Sequence, residues 1–263
     1  MTDHATRLDA MRSAAPLVHN ITNYVAMNVM ANVMLAAGAS PAMIHAREEA
    51  AEFAAIASAL TVNIGTLSPA WVEGMLDAAQ AAVNAGTPWV LDPVAVGATA
   101  YRRETAARLL ALKPTVLRGN ASEIIALSGA AGIGKGVDAA DGVEAAIEAA
   151  RGLARSTGGV VAVTGAEDLV TDGERMVWVA NGHPTMPAVT ALGCALNGIV
   201  ASFLATGDDA FEATVTALAF YGLAGERAGQ TAQGPGSFAV AFLDALAGID
   251  GAALQAQAKV RPA

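Results

Sequence analysis

Short apolar runs alternate along the middle of the chain with longer stretches of helical period. LTVNIG (60–65), PWVLDPV (88–94), PTVLRG (114–119) and GVVAVTG (159–165) each read as a buried strand running into turn residues. Between them lie SPAWVEGMLDAAQAAVNAG (68–86), YRRETAARLLAL (101–112) and DGVEAAIEAARGLARSTG (141–158), which repeat at helical spacing, carry charge on one face and place Gly near their ends. Strands and helices that alternate at these lengths predict an α/β fold with a mainly parallel central sheet covered by helices on both faces. EDLVTDGERMVWVANG (167–182) breaks the alternation and reads as a hairpin turning at Asp172-Gly173. From Gly193 onward three helical segments follow. The stretch 19–44, HNITNYVAMNVMANVMLAAGASPAMI, reads as a helix cap and core helix, with more Asn and Met than such a helix needs.

Composition narrows the class. A chain of 263 residues, 54% of them hydrophobic, fills one large core, so residues 1–263 are expected to form a single domain. No apolar run reaches the roughly 18 residues of a membrane span, and the first residues lack the pattern of a signal peptide. A cytoplasmic protein is expected. Fifteen basic against 24 acidic residues, a net charge of −9, argue against a nucleic-acid partner and leave single nucleotides open. The one cysteine, Cys194, rules out an internal disulfide. The histidines at 4, 19, 45 and 183 show no metal-ligand spacing.

In open α/β sheets ligands bind beyond the carboxyl ends of the strands. Asp92, Arg118 with Asn120, and Thr164 with Gly165 stand at such ends. Asp92 reads either as a magnesium-side carboxylate or as a turn Asp before Pro93. Glu123 reads as its acidic partner, or as the N3 carboxylate of a capping box opened by Asn120. Arg118 ends an apolar strand and needs an anion, either a phosphate or a structural carboxylate. Thr164 offers a hydroxyl to a phosphate or ribose, or caps the next segment. Gly193-Cys194 opens an apolar helix whose first amides suit a phosphate and would lower the Cys194 pKa; alternatively the pair is a turn and a filler. There is no P-loop; AAGIGKGVD (130–138) lacks the strand and the Ser/Thr and reads as a flexible loop. Asn23 and Met43, at element ends, are the better pocket candidates of the N-terminal stretch.

Taken in order, PLVHNITNYVAMN (16–28), GASPAM (38–43), NIGTL (63–67), VLDPVAVGATAYR (90–102), LRGNASEI (117–124), KGVD (135–138), VAVTGAEDLVTDG (161–173), NGHPTMPAVT (181–190), GC (193–194) and GPGSF (234–238) resemble the hydroxyethylthiazole kinase family over nearly the whole chain. The resemblance implies a ribokinase-like fold and a homotrimer with active sites at subunit interfaces. The implied reaction is transfer of phosphate from ATP, with Mg²⁺, to 5-(2-hydroxyethyl)-4-methylthiazole, a salvage step toward thiamine. By motif, Asn23, Met43 and Ala191 match thiazole-pocket positions, Arg118 and Thr164 ATP contacts, and Asp92 and Glu123 magnesium-side acids. Cys194 stands beside the reacting hydroxyl, with Gly193 in the anion site. One departure stands out: Ala191-Leu192 replaces the Gly-Thr that usually precedes Gly-Cys in this family. Ala191 is expected to crowd the ring and resist a positive φ, and Leu192 to remove a hydroxyl donor. The alternatives are a ribokinase-like kinase for another small alcohol, an ATP-dependent dehydratase of damaged nicotinamide cofactors, and a non-catalytic thiazole or nucleotide sensor.

Overall fold

The computed structural model describes residues 3–130, 143–207 and 209–263. The expected loop at 130–138 lies outside them except for its first residue, and so does the KGVD segment (135–138). The elements run α1 (His4–Ala14), β1 (Leu17–Ile21), α2 (Met27–Ala37), β2 (Ser40–Ala42), α3 (Arg47–Ile56), β3 (Ala59–Asn63), α4 (Pro69–Ala85), β4 (Trp89–Asp92), α5 (Ala100–Leu110), β5 (Val116–Asn120) and α6 (Ala121–Ala130). After the undescribed stretch come a 3₁₀ turn (Val143–Ala146), α7 (Ile147–Thr157), β6 (Val160–Thr164), β7 (Asp168–Thr171), β8 (Met176–Val179), α8 (Leu192–Leu204), α9 (Ala210–Thr231), α10 (Pro235–Gly248), α11 (Gly251–Gln257) and β9 (Val260–Pro262).

All nine of these strands join one sheet in the order β2-β1-β3-β4-β5-β6-β7-β8-β9. The six from β2 to β6 pair in parallel, and β7, β8 and β9 add on antiparallel. Side chains alternate across it as the strand period of two demands. Val160 and Ala162 pack into one core with α1, α2 and α8 to α11, while Val161 and Val163 pack into another with α3 to α7. Helices therefore cover both faces. The chain leaves β1 for β2 on one side and, by way of α3, reaches β3 on the other. The helices change face at that point, which makes the crevice between β1 and β3 a topological switch point.

Local chemistry explains the boundaries. Ser68 caps α4 by accepting from the Trp71 amide, with Pro69 at the first helical position. The hairpin turns where expected: Gly173 holds φ +95°, and Asp172 Oδ1 accepts from the amides of Glu174 and Arg175 at 3.0 and 2.7 Å. The expected helix at 141–158 begins as a 3₁₀ turn at Val143 within the described residues and becomes α-helical at Ile147.

The N-terminal stretch corrects the sequence reading. Residues 19–44 do not form a cap and one helix: α2 is flanked by β1 and β2. His19 and Asn20 lie fully buried in β1, where a polar residue signals a cap or loop to a pattern reader. Each finds a partner far off in sequence, while His19 Nδ1 stays buried without one. His19 Nε2 meets the Ile44 carbonyl at 2.8 Å, and Thr61 Oγ1 donates to Asn20 Oδ1 at 2.9 Å. Burial pushes the His19 imidazole down to about 4, so it is neutral and Nε2 donates. β9, also unanticipated, is anchored by the buried Asn181, whose Oδ1 accepts from the Lys259 amide at 2.7 Å.

Among the described residues no single helix is long and apolar enough to cross a membrane. The bent pair α10 and α11 turns through 110° and buries Phe238, Phe242, Leu246 and Leu254 in the core.

Candidate active site

The carboxyl ends of β1, β3 and β4 bring three polar side chains together. Asn23, just past β1, donates through Nδ2 to Asn63 Oδ1 at 3.0 Å and to Cys194 Sγ at 3.3 Å. Asn63 ends β3 and donates to Asp92 Oδ2, at the end of β4, at 2.6 Å. Asn197, one turn into α8, donates to the same oxygen at 2.6 Å and to the Cys194 carbonyl at 2.9 Å. Asn63, Asp92 and Asn197 are all but sealed from solvent. Both amides hold Oδ2, and Asp92 Oδ1 is left buried with no partner. Burial pushes the Asp92 carboxyl up to about 6 and Glu123 adds to the push, while Arg118, Asn197 and Asn63 oppose it.

Arg118 reaches in from β5. Its Nη1 lies 3.7 Å from Asp92 Oδ2, and its Nη2 donates to Thr164 Oγ1, at the end of β6, at 2.8 Å. The structural carboxylate foreseen as one option for this arginine is therefore Asp92. A methyl placed on Gly193 would lie 3.5 Å from Arg118 Nη2, so the guanidinium faces the first turn of α8. The first bond of that helix runs from the Ala195 amide to the Ala191 carbonyl at 2.8 Å. The amides of Gly193 and Cys194 precede it, and no side chain caps the helix. Ala191 takes φ +64°, the left-handed conformation that glycine adopts without strain. Leu192 is buried in the core, and its carbonyl accepts from Tyr221 Oη at 2.8 Å.

The thiol corrects an expectation. Cys194 is not acidified by the helix end: burial raises its pKa, and the Asp92 charge raises it further against the Asn23 hydrogen bond and Arg118. A lone helix terminus contributes about half a charge, too little to offset desolvation beside a carboxylate.

Glu123 does what its capping-box reading requires. Its Oε2 accepts from the Asn120 amide and Asn120 Oδ1 accepts from the Glu123 amide, each at 2.9 Å. Its Oε1 also accepts from the Ala95 amide at 2.9 Å, which ties α6 to the loop after β4. Beside it a cavity of about 460 Å³ opens between Asn120, Ser122, Val143, Glu144, Thr164, Gly165, Glu167 and Trp178. Met43 sits one strand further out, just past β2, half-buried against the helices of its face, and no hydrogen bond joins it to the cluster.

Sequence reasoning overlooked Asn63, Asn197 and Arg102. A polar residue inside the apolar helix GCALNGIV was the available signal for Asn197. Nothing in the local pattern separates Asn63 from an ordinary strand-ending turn residue.

A nine-stranded, mostly parallel sheet with helices on both faces and a polar crevice at its switch point has the ribokinase-like architecture. The family model described as the hydroxyethylthiazole kinase family matches residues 8–251, and the chain belongs to that family. A hydroxyethylthiazole kinase of Cereibacter sphaeroides (strain ATCC 17023) is 66% identical over 98% of each chain. One from Rhizobium etli (strain CFN 42) is 63% identical over 96% of this chain and 98% of its own. The hydroxyethylthiazole kinase protein from Pyrococcus horikoshii OT3 superposes with a TM-score of 0.92 at 41% identity, covering 99% of this chain and 98% of that one. A pyridoxal kinase from Staphylococcus aureus, in complex with AMP-PCP and pyridoxal, superposes at 0.61 with 19% identity over 81% of this chain and 88% of its own, a likeness of fold.

Proposed function

We propose that the chain transfers the terminal phosphoryl group of ATP to the hydroxyl of 5-(2-hydroxyethyl)-4-methylthiazole, giving the thiazole phosphate and ADP in a salvage step toward thiamine. Family membership supplies the substrate pair. The observation that carries the chemistry is the meeting of the uncapped α8 start with Arg118 and the Asn23–Asn63–Asp92 chain.

In this reading Asn23, Met43 and Ala191 border the thiazole, and Arg118 and Thr164 contact the nucleotide. The open cavity beside Asn120 and Thr164 receives the rest of it. Arg118 and the amides of Gly193 and Cys194 stabilise charge on the group in flight. A loose transition state needs placement and electrostatics more than a strong base. A thiol whose pKa is raised suits that: Cys194 stays protonated and orients the hydroxyl.

A magnesium ion fits the donor set. Asp92 Oδ1 is a buried carboxylate oxygen without a partner. Among the described residues no cluster of three or more His, Cys, Asp or Glu could enclose an ion. Magnesium commonly takes one or two carboxylates and completes its shell with water and phosphate oxygens. Asp92 would hold it, with Glu123, whose oxygens each already accept one backbone amide, as the second carboxylate. When bound it supplies charge neutralisation on the ATP phosphates.

Residues 1–263 work in this reading as one cytoplasmic kinase domain, and the chain forms a homotrimer with Asn23 and Met43 near a neighbouring subunit. Tyr24 and Val25, next to Asn23 and exposed by 65% and 60% in the single chain, give that assembly an apolar surface beside the acceptor crevice. Light scattering at micromolar concentration tests it; a fully active monomer sinks the interface claim. For the reaction, ADP release is measured against hydroxyethylthiazoles, hydroxymethylpyrimidines and sugars, with and without Mg²⁺. The thiazole alcohol should turn over fastest, and only with the metal. Preferred turnover of another alcohol would remove the substrate assignment.

A further inference from the structure

Arg102 belongs to none of the roles above, yet it makes three hydrogen bonds behind the crevice. It sits in the first turn of α5, where Thr99 Oγ1 accepts from its amide at 3.2 Å. Its Nη1 donates to the Ile64 carbonyl at 2.6 Å and to the Val94 carbonyl at 2.8 Å; its Nη2 donates to the Gly65 carbonyl at 2.7 Å. These carbonyls come from two separate loops, one after β3 and one after β4.

The backbone cannot hold those loops together unaided. Asn63 and Asp92 are the last paired residues of β3 and β4, and one further bond follows, from the Ile64 amide to the Asp92 carbonyl at 3.2 Å. The next residue on the β4 side is Pro93, which has no N–H to extend the ladder. Beyond that point the bonds joining the two loops run through the Arg102 guanidinium. A planar fork of five donors can serve several carbonyls in fixed directions, as a lysine ammonium cannot.

Both loops end on residues of the crevice. The Gly65 amide donates to Asn63 Oδ1 at 2.9 Å, and a methyl on Gly65 would fall 2.8 Å from Asn23 Cβ. The position of Gly65 therefore sets Asn63 and Asn23 together. On the other loop, Val94 is followed by Ala95, which holds φ +53° while its amide donates to Glu123 Oε1. That strained residue is kept in place between Arg102 on one side and Glu123 on the other.

We propose that Arg102 is a positioning residue: it holds the acceptor amides Asn23 and Asn63 in register with the carboxylates Asp92 and Glu123 and touches no substrate. The role rests on the kinase reading above. Removing the clasp loosens acceptor placement and leaves the nucleotide arm, Arg118 with Thr164, intact. Misplacement of a reacting group by about 1 Å costs on the order of a hundredfold in rate.

The test uses Arg102→Lys and Arg102→Ala, with Arg108→Ala as a control on the same helix, where Arg108 makes only an exposed ion pair with Glu73. kcat and KM for the thiazole alcohol, calorimetric affinity for a non-hydrolysable ATP analogue, thermal midpoint, and amide exchange at Ile64, Gly65 and Ala95 are measured. The expected result for Arg102→Lys is a loss in kcat/KM for the alcohol of about tenfold to a hundredfold. Analogue affinity should hold and the three amides should exchange faster. Millimolar guanidinium should restore part of the activity of Arg102→Ala. If Arg102→Ala does not fold, Arg102→Lys, which keeps charge and stem, decides alone. Wild-type kcat, KM and amide exchange with only a lowered midpoint would overturn the proposal. A wild-type chain that turns over no thiazole alcohol would sink the substrate reading instead, and the exchange rates would still judge the clasp.

Discussion

Between β1 and β4 the carboxyl edge of the sheet is crowded with side-chain amides; between β5 and β8 it opens into a cavity of about 460 Å³. On the crowded side Asn23, Asn63 and Asn197 are buried, two of them donate to the same Asp92 oxygen, and the loop after Asn63 is braced from behind by Arg102. On the open side Asn120 and Glu167 face solvent, and Glu123 spends both oxygens on backbone amides. The contrast fits the two ligands proposed above. A small acceptor offers few atoms to grip, so its site must be rigid before it arrives. A nucleotide brings charge and area enough to bind an open surface through Arg118 and a few loop groups.

Four experiments can break or sharpen that contrast. The largest effect is expected at the rigid half. Asp92→Asn keeps the size and one acceptor for the two amides but loses the buried charge. kcat should fall on the order of 10²–10³-fold, and the thermal midpoint should fall as well, because the change leaves the near-buried Arg118 without its carboxylate. Wild-type kcat at limiting Mg²⁺ would remove Asp92 from the metal side.

Glu123→Ala probes the open half and should do less to turnover, on the order of tenfold. It should also cost roughly 1–2 kcal/mol of stability, because the reciprocal cap of α6 and the Ala95 tether go with it. Raised Mg²⁺ should recover part of the rate and none of the stability. A stability loss with unchanged kcat would leave the residue purely a cap.

His19 reports how tightly β1 is packed against α3. Its folded pKa of about 4 lies below the ordinary 6.5, chiefly through burial. The neutral form is therefore favoured on folding. That contribution is fully present above pH 6.5 and is lost as pH falls from there through 4, by up to roughly 3 kcal/mol. Chemical denaturation of wild type and His19→Gln across that range should give a smaller acid loss in the variant. Parallel curves would mean that the imidazole is solvated.

The smallest effect concerns the departure at 191–192. Ala191 holds a left-handed φ, so Ala191→Gly should stabilise the fold by about 1 kcal/mol and, if the methyl crowds the ring, lower KM for the thiazole. Leu192→Thr should instead cost about 1–3 kcal/mol, because Leu192 is packed in the core. The two changes are best made singly and read by thermal midpoint and kcat/KM. A destabilising Ala191→Gly would refute the strain argument.

Much of the fold was legible. β3 to β6 fall on the four apolar runs to within one residue, and the hairpin turns at its Asp-Gly, because a buried parallel strand and a tight turn are written in consecutive residues. β1 and β2 were not legible, since His19 and Asn20 are buried in a strand and answer to Ile44 and Thr61 across the sheet. Of the candidate site, the groups that end strands or open helices could be named from the chain alone. The buried amides could not: an asparagine in a turn looks the same whether or not a carboxylate waits 29 residues away.

The sequence by itself determined β3 to β6, the helices between them and the hairpin, which family the chain resembles, and which end of the sheet carries polar groups. Those properties follow from local period and from motifs in order. Tertiary structure alone decided that Asp92 is buried with one free oxygen, that Cys194 is a poor acid, that Leu192 belongs to the core and that Arg102 clasps two loops. Each of these depends on desolvation and on partners brought close by packing, and neither is a property of neighbouring residues in the chain.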